Sequence, residues 1–425
     1  MVIIKNLGGQ SKVKRIVKLW TSTSLISKIF VGIVIGAVLG VIVPESQGIA
    51  IFGTVFVGAL KAIAPVLVSI LVMSAIANAK AGIGSRFRTV IVLYLLSTFL
   101  AAFVAVIASF LVPVKIALSE TVTGTPPDGI GEIFNNLLTG MVANPIQSIT
   151  SANYVGVLFW SAIIGIGLKM YGTDTTKTVV TDFSNVISNA VRWVIQFAPF
   201  GILGLVYESV SESGLSIFTT YGKLLALLVG CMLIVALVID PLIAAIYLKR
   251  NPYPLVFKCL KESGLTAFFT RSSAANIPVN MSLCEKLGLE KDFYSVSIPL
   301  GATINMDGAA ITITVMTLAT VNTLGIAVDL PTALILSILA TLGACGASGV
   351  AGGSLLLIPM ACSLFGIDNT VAMQVVAVGF IISVVQDSVE TALNSSGDVM
   401  FAATAEFHDR MKRGEKVAYF DEVSK

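Results

Sequence analysis

Long apolar runs separated by short polar turns make up most of the chain from about residue 25 onwards. Because about 20 helical residues cross a hydrocarbon core of roughly 30 Å, each run predicts a transmembrane helix. Asn144-Pro145 predicts a break in the fourth run and Pro199 a kink in the fifth. Near the end of the sixth run, Asp240-Pro241 could form a functional kink, but a turn at the membrane interface is the favoured interpretation. Six runs precede residue 250, at about 26–43, 49–78, 89–112, 133–170, 179–207 and 221–248.

The pattern changes after residue 250, where small and polar residues interrupt the apolar stretches. One stretch, 258–291, is interrupted at 270–273. The lysines at both of its ends are predicted to be cytoplasmic, so the stretch enters and leaves on the same side of the membrane. Another begins at Pro331 and is interrupted by glycines at 343–353; its first half would be a helix of about 18 Å, too short to span. Both predict re-entrant hairpins, each followed by a polar helix. Such an inverted repeat with broken helices is typical of the binding site of a secondary transporter.

The last apolar run, 370–400, carries a polar stripe at helical spacing. One acid at bilayer depth costs roughly 2.5 to 3.5 kcal/mol on insertion scales, so three acids on one stripe need partners, water or ions. A purely structural ion-pair network is the alternative interpretation. The stripe consists of Ser383, Asp387, Glu390, Thr391, Asn394 and Asp398.

Composition supports a polytopic helical membrane protein. Of the 425 residues 56% are hydrophobic and only 12% are charged, and the mean hydropathy is +0.92. The five cysteines show no paired spacing, which predicts neither a disulfide framework nor a zinc site. The single histidine, His408, lies in the polar tail, which argues against catalysis by a buried imidazole. The basic N-terminal segment and the basic tail are both predicted to be cytoplasmic.

The broken helices and the stripe together predict a site for an amino acid and a cation. Unwound tips offer N–H groups to an anion and carbonyl groups to a cation. Asp387 could hold an ammonium group, while Thr391 and Asn394 could bind a carboxylate. Asp307 and Asp398 supply the oxygen ligands that a small cation prefers. Two simpler explanations stay open: the glycines could serve close helix packing, and the serines at the first tip could bond back into their own helix.

The chain resembles the dicarboxylate/amino acid:cation symporter family, which includes the glutamate transporters. Three ordered motifs carry the resemblance: Thr270-Arg-Ser-Ser-Ala-Ala-Asn-Ile-Pro, Asn305-Met-Asp-Gly, and Asp387-x-x-x-Thr391-x-x-Asn394-x-x-x-Asp398. The resemblance implies an all-α fold with eight transmembrane helices, two re-entrant hairpins and inverted repeats. It also implies a homotrimer in membrane lipid, with a transport domain that slides like an elevator against a scaffold. Sodium ions would be the coupling ions, with no other cofactor and no nucleic-acid partner.

The same resemblance suggests a division of the chain and roles for single residues. The segments are a cytoplasmic N-terminal segment (1–24), six transmembrane helices forming the scaffold and part of the transport domain (25–250), the transport core (251–405) and a cytoplasmic tail (406–425). The substrate would contact Ser272, Ser273, Val350, Gly352, Asp387, Glu390, Thr391 and Asn394. Sodium would contact Tyr94, Thr98, Gly301, Thr303, Asn305, Met306, Asp307, Asn394 and Asp398. Arg271 would serve the gate as an ion-pair partner.

Departures from the family's acidic-substrate members concern the substrate. Those members carry Arg where this chain has Glu390, and Thr where it has Ala309. Glu390 would repel a second carboxylate, which disfavours glutamate and aspartate. The stretches 268–280, 295–313 and 346–359 resemble the bacterial serine/threonine:sodium symporters of the family.

We therefore expect a symporter that imports serine and threonine with sodium across a bacterial inner membrane by alternating access. The alternatives are a symporter for other small neutral amino acids or for dicarboxylates, and, in a different class, an ion channel. An intramembrane enzyme is disfavoured, because no pairing of a nucleophile with a base is visible.

Overall fold

The computed structural model describes residues 23–44, 46–78, 85–118, 138–345, 347, 352–415, 417 and 419. Over these residues the chain is helical, with no β-strand. Val350, most of the predicted N-terminal segment (1–22) and the end of the predicted tail lie outside the described residues.

The first half of the described chain forms long helices, and their ends follow capping residues. Asn144 and Asn153 accept backbone N–H groups at the starts of two successive helices, α4 (Pro145–Thr150) and α5 (Tyr154–Tyr171). The interruption between these helices is the break predicted in the fourth run. A bend of 54° separates α6 from α7 next to Pro199, the predicted kink. The helices are α1 (Leu25–Ile42), α2 (Gln47–Asn78), α3 (Ser85–Leu111), α4 (Pro145–Thr150), α5 (Tyr154–Tyr171), α6 (Asp174–Gln196), α7 (Ala198–Ser213), α8 (Ile217–Ile234) and α9 (Asp240–Leu248).

The prediction of an interfacial turn at Asp240-Pro241 is wrong. A π-helical turn, Val235–Ile239, joins α8 to α9 without a break, and Asp240 is buried at 2% exposure. Pro241 cannot donate to the carbonyl oxygen of Leu237 four residues earlier, and that oxygen instead accepts from the hydroxyl of Tyr253 at 3.0 Å. A proline therefore did not mark the end of this membrane helix.

The second half is built from shorter helices with breaks between them. The interrupted helical segments at residues 253–286 and 330–363 overlap the stretches for which the sequence predicts re-entrant hairpins, and they are named hairpin 1 and hairpin 2. A second π-helical turn, Leu260–Gly264, lies inside hairpin 1, and a 3₁₀ turn, Ser354–Leu357, lies inside hairpin 2. The helices are α10 (Tyr253–Cys259), α11 (Leu265–Thr270), α12 (Ser273–Lys286), α13 (Lys291–Ile304), α14 (Asp307–Leu324), α15 (Leu330–Ala344), α16 (Ile358–Ser363) and α17 (Asn369–Lys412).

Six of the described helical segments are long and apolar enough to cross a membrane, or seven if the bent pair α6 and α7 counts as one span. The α13–α14 segment is 94% buried over its most apolar stretch, whereas α5 is only 28% buried. Large apolar side chains such as Phe30, Val31 and Val34 of α1 face outwards. Because such a surface is unfavourable in water but not in lipid, the chain is a helical membrane protein.

Two groups of helices can be distinguished by their contacts. The first group consists of α1, α2 and α5 to α7, which pack on one another. The second group consists of α3 and α8 to α17, and α14 and α17 lie at its centre. Helix α1 approaches α7 closely: a Cβ atom on Gly32 or Gly36 would lie 2.3 or 2.4 Å from a carbonyl oxygen of α7. Glycines four residues apart permit this backbone contact. The second group holds every predicted site residue that the structure describes.

Candidate functional site

The tips of the two hairpins meet at the carboxylate of Asp387, in the middle of α17. Arg271, at the tip of hairpin 1, places its Nε 2.7 Å from Asp387 Oδ2. The backbone N–H of Gly352, at the tip of hairpin 2, donates to Oδ1 at 3.3 Å. Both charged side chains are buried, so the guanidinium compensates a carboxylate that water does not reach. Asp387 is thus the point at which the tips of hairpin 1 and hairpin 2 converge.

The tip of hairpin 1 owes its position to its backbone. Arg271 has a left-handed conformation, with φ of +51°, which ends α11 and is costly for a residue other than glycine. Ser272 then caps α12, its hydroxyl accepting the backbone N–H of Ala275 at 3.2 Å. In this structure the Ser272 side chain therefore bonds to the backbone of its own helix, which is the simpler explanation that the sequence left open. Ser273 is buried in the first turn of α12.

Further along α17, Thr391 and Asn394 lie on the same stripe as Asp387. The Thr391 hydroxyl donates to the backbone carbonyl of Asp387 at 2.7 Å. The side-chain oxygen of Asn394 accepts the N–H of Gly308 at 2.8 Å, and its Nδ2 lies 3.4 Å from the sulfur of Met306. Asn394 therefore ties the stripe to the break between α13 and α14.

Glu390 lies in a pocket of hydrogen-bond donors on the α14 side of α17. Its Oε2 accepts from the hydroxyls of Thr312 at 2.8 Å and Ser354 at 2.9 Å, and from Nε2 of Gln386 at 2.5 Å. Three donors on one oxygen stabilise a negative charge. Because Ser354 belongs to hairpin 2, Glu390 also ties that hairpin to α14 and α17.

A second acidic cluster lies where α3 meets the start of α14. The Asp307 carboxylate accepts from Ser97 at 2.8 Å and from Thr98 at 2.9 Å, and the Thr98 hydroxyl accepts the N–H of Met306 at 3.2 Å. The Ser97 hydroxyl also lies 2.7 Å from Oδ1 of Asp240. All of these side chains are buried.

Asp398, one turn below Asn394, lies against the break before α14. Asn305 donates its Nδ2 to Asp398 Oδ1 at 3.2 Å and to the Asn394 carbonyl at 3.0 Å, and the Tyr94 hydroxyl donates to the Asp398 carbonyl at 3.0 Å. Gly301 must be glycine, because a Cβ atom there would lie 2.8 Å from Asp398 Oδ1.

The donor atoms of these two clusters fit a small hard cation. Asn305 Oδ1 is buried without a hydrogen-bond partner in the part of the chain that the structure describes, an unsatisfied acceptor next to carboxylate oxygens. Carboxylate, amide, hydroxyl and carbonyl oxygens are the ligands of a hard cation such as sodium. Over the same residues no group of three His, Cys, Asp or Glu side chains is placed to hold a metal ion, so the arrangement does not resemble a transition-metal centre.

Thr303, predicted for a further sodium site, is half-buried and donates to the Leu300 carbonyl at 2.7 Å. The end of α15 comes close to it, since the sulfur of Cys345 lies 3.6 Å from the carbonyl oxygen of Ile304. Met306 is buried beside this position. The broken helix α13–α14 and the first arm of hairpin 2 therefore meet at Thr303.

Sequence reasoning missed a polar network between hairpin 1 and α17. Asn276 and Asn280 of α12 contact Ser263 in the π-helical turn and Ser395 on α17, at 2.5 to 3.5 Å. Asn280 also reaches Asp398 at 3.4 Å. Two asparagines four residues apart in an apolar run were a signal that could have revealed this network.

Comparison with known proteins places the chain in a family. The sequence model described as "Sodium:dicarboxylate symporter family" matches residues 25–406. A protein named "Serine/threonine transporter SstT" from Bifidobacterium adolescentis is 57% identical over 416 residues, 97% of each chain. Proteins of the same name from Streptococcus agalactiae and Streptococcus thermophilus are 57% and 55% identical over 395 residues, which cover 92% of this chain and 98% of theirs.

Proposed function

The chain belongs to the sodium:dicarboxylate symporter family, and we propose that it is a sodium-coupled symporter that imports serine and threonine. The names of relatives 55 to 57% identical to the chain support this substrate choice. The observation that carries the proposal is the convergence of both hairpin tips on Asp387, with a second acid, Glu390, three residues further along α17. This arrangement suits a substrate with an ammonium group and without an acidic side chain.

In the proposed binding mode, Asp387 binds the substrate ammonium group, which takes the place of the Arg271 guanidinium. Thr391 and Asn394 bind the α-carboxylate with their hydroxyl and amide groups. The N–H groups at the hairpin tips supply further donors for this anion. Among the described residues these tips include Ser272, Ser273 and Gly352; Val350, which lies outside them, stays a prediction from the sequence.

Glu390 excludes acidic substrates in this proposal. Its Oε2 already accepts from three protein donors, and a negative charge at this position would oppose a second carboxylate on the substrate side chain. A serine or threonine hydroxyl carries no charge and can donate to a carboxylate oxygen.

Sodium is held in the proposed mechanism by the oxygen-rich clusters around Asp307 and Asp398. The first cluster adds Thr98, the second adds Tyr94, Gly301, Asn305 and Asn394, and a third position uses Thr303 and Met306. Because Asn305 and Asn394 contact both the stripe and the break before α14, cation binding there would order the substrate site. This link couples the ion to the substrate.

The finer architecture is also part of the proposal. We infer eight transmembrane helices with two re-entrant hairpins, a homotrimer in membrane lipid, and a bacterial inner membrane with both termini in the cytoplasm. The group of α1, α2 and α5 to α7 would form the scaffold, and the group around α14 and α17 would move like an elevator. The exposed apolar side chains of α1 and the burial of α14 support this division.

Calorimetric titration of the purified protein tests the binding step. Serine and threonine are expected to bind in sodium chloride and not in choline chloride, while aspartate is expected not to bind in either. Binding of serine that is equally tight without sodium, or binding of aspartate as tight as that of serine, would contradict the proposal.

A further inference from the structure

Asp240 is a buried acid to which the proposed transport mechanism assigns no role. It is the first residue of α9, directly after the π-helical turn Val235–Ile239, and it is 2% exposed. Such turns are rare and occur frequently at functional sites. The ion pairs found among the described residues include neither Asp240 nor Asp307. A buried carboxylate without a cationic partner is costly, so its presence needs a reason.

Asp240 shares one hydroxyl group with the proposed cation site. The Ser97 oxygen lies 2.7 Å from Asp240 Oδ1 and 2.8 Å from Asp307 Oδ2. A serine hydroxyl has one hydrogen to donate and two lone pairs. When the hydrogen points to Asp240, the lone pairs of Ser97 are free to face the Asp307 side, where they attract a cation.

We propose that Asp240 is a positioning residue for cation binding at Asp307, which it promotes by accepting the hydrogen of Ser97. This inference rests on the proposed sodium coupling. Asp240 lies only one hydroxyl group away from Asp307, so the two carboxyl groups compete for the same hydrogen. A neutral asparagine at position 240 would do the opposite, because its amide could donate to Ser97 and occupy a lone pair.

The other side of Asp240 adjoins the long helix of the substrate stripe. A cavity of about 10 Å³ lies between them, lined by Asp240, Ser396 and Gly397 among others, and it is about large enough for one water molecule. Gly397 in turn contacts the amide of Asn305, since a Cβ atom there would lie 2.7 Å from Asn305 Nδ2. Asp240 therefore adjoins the Asp307 cluster through Ser97, and it lines a cavity with Gly397, which is a neighbour of Asn305 in the second cluster.

Sodium titration of thermal unfolding tests the inference without requiring transport. For the wild-type protein, sodium alone is expected to raise Tm. For Asp240→Asn, the sodium concentration for half of this effect should rise by roughly 10- to 100-fold, the factor that corresponds to the loss of one buried hydrogen bond at the site. The serine KM at saturating sodium should stay unchanged, since Asp240 does not touch the substrate stripe at Asp387.

A double-mutant comparison tests whether Asp240 acts through Ser97. Ser97→Ala should also raise the sodium requirement, and adding Asp240→Asn to it should have much less effect than in the wild-type background. If Asp240→Asn does not fold, Asp240→Ala, which also removes the acceptor for Ser97, takes its place in the same comparison. Ser109→Ala is the matched control on the same helix: its hydroxyl is buried without a partner among the described residues, so the sodium response should not change.

The outcomes separate the inference from the proposed function. A wild-type protein with no sodium response would contradict sodium coupling itself. A wild-type response that Asp240→Asn leaves unchanged would overturn only the role of Asp240. Independent, fully additive effects of Asp240→Asn and Ser97→Ala would overturn positioning through Ser97.

Discussion

Replacing Arg271 with Gln removes the positive partner of a buried carboxylate. In the structure the guanidinium contacts Asp387 at 2.7 Å, and the side chains are only 10% and 3% exposed. Among the residues that the structure describes, the N–H of Gly352 is the other donor to this carboxylate, at 3.3 Å. The substrate-free protein should therefore lose stability in the variant, and an ammonium group should be attracted to the uncompensated charge.

The magnitude follows from the cost of breaking a buried ion pair. Removal of one partner typically costs about 3 to 5 kcal/mol, mainly because the other charge is left unpaired. The serine ammonium group restores the missing charge, and each 1.4 kcal/mol recovered makes binding about tenfold tighter. We expect serine to bind Arg271→Gln at least about tenfold more tightly than wild type, with a lower Tm in the absence of serine.

Titration calorimetry and thermal unfolding, both at saturating sodium, measure the two effects. Arg86→Gln is the control, because Arg86 pairs with Glu290 at the protein surface, where the two side chains are 20% and 45% exposed. It should leave serine binding unchanged.

The hydrogen bond from Arg86 lowers the pKa of Glu290, so the small stability that this pair adds should disappear as the pH falls below the usual range of a glutamate.

One combination of results would refute the reasoning about Arg271. If Arg271→Gln kept the wild-type Tm and bound serine no more tightly, the guanidinium would not be occupying the place of the substrate ammonium group. A lower Tm with weaker serine binding would instead make Arg271 a direct partner of the substrate.

Three further variants test the substrate and ion sites. Asp387→Asn should abolish serine binding, since a neutral amide does not replace the charge; near-normal affinity in calorimetry would contradict this role. Glu390→Gln should leave serine uptake largely intact and improve competition by aspartate by roughly 10- to 100-fold, because two carboxylates about 5 Å apart repel by about 3 kcal/mol at an effective dielectric constant of about 20. Gly301→Ala should raise the sodium concentration needed for stabilisation, because its Cβ would lie 2.8 Å from Asp398 Oδ1; Gly222→Ala, with nothing within 4 Å, should not.

Much of the helical framework could be predicted from the sequence because membrane helices have a required length. The runs at 26–43 and 49–78 correspond to Leu25–Ile42 and Gln47–Asn78, and the interruption at 270–273 is the break between α11 and α12. Local composition was sufficient for these features, because the length of an apolar run and a cluster of small polar residues inside it are both visible within one stretch of sequence.

Features that depend on distant partners could not be read in the same way. Asp240 looked like part of a turn because Pro241 follows it, but its partner Ser97 is 143 positions away on α3. Likewise, Glu390 could be recognised as an unusual acid, whereas its donors Thr312 and Ser354 lie 78 and 36 positions away. Single-sequence periodicity places a residue on a helix face but does not show what that face contacts.

The central claim is that serine transport is driven by the sodium gradient. Labelled serine uptake into proteoliposomes under an imposed inward sodium gradient measures this most directly. We predict that serine accumulates above its external concentration, and that the accumulation disappears when a sodium ionophore collapses the gradient. Equal uptake without a sodium gradient, or ion current without serine accumulation, would contradict the claim.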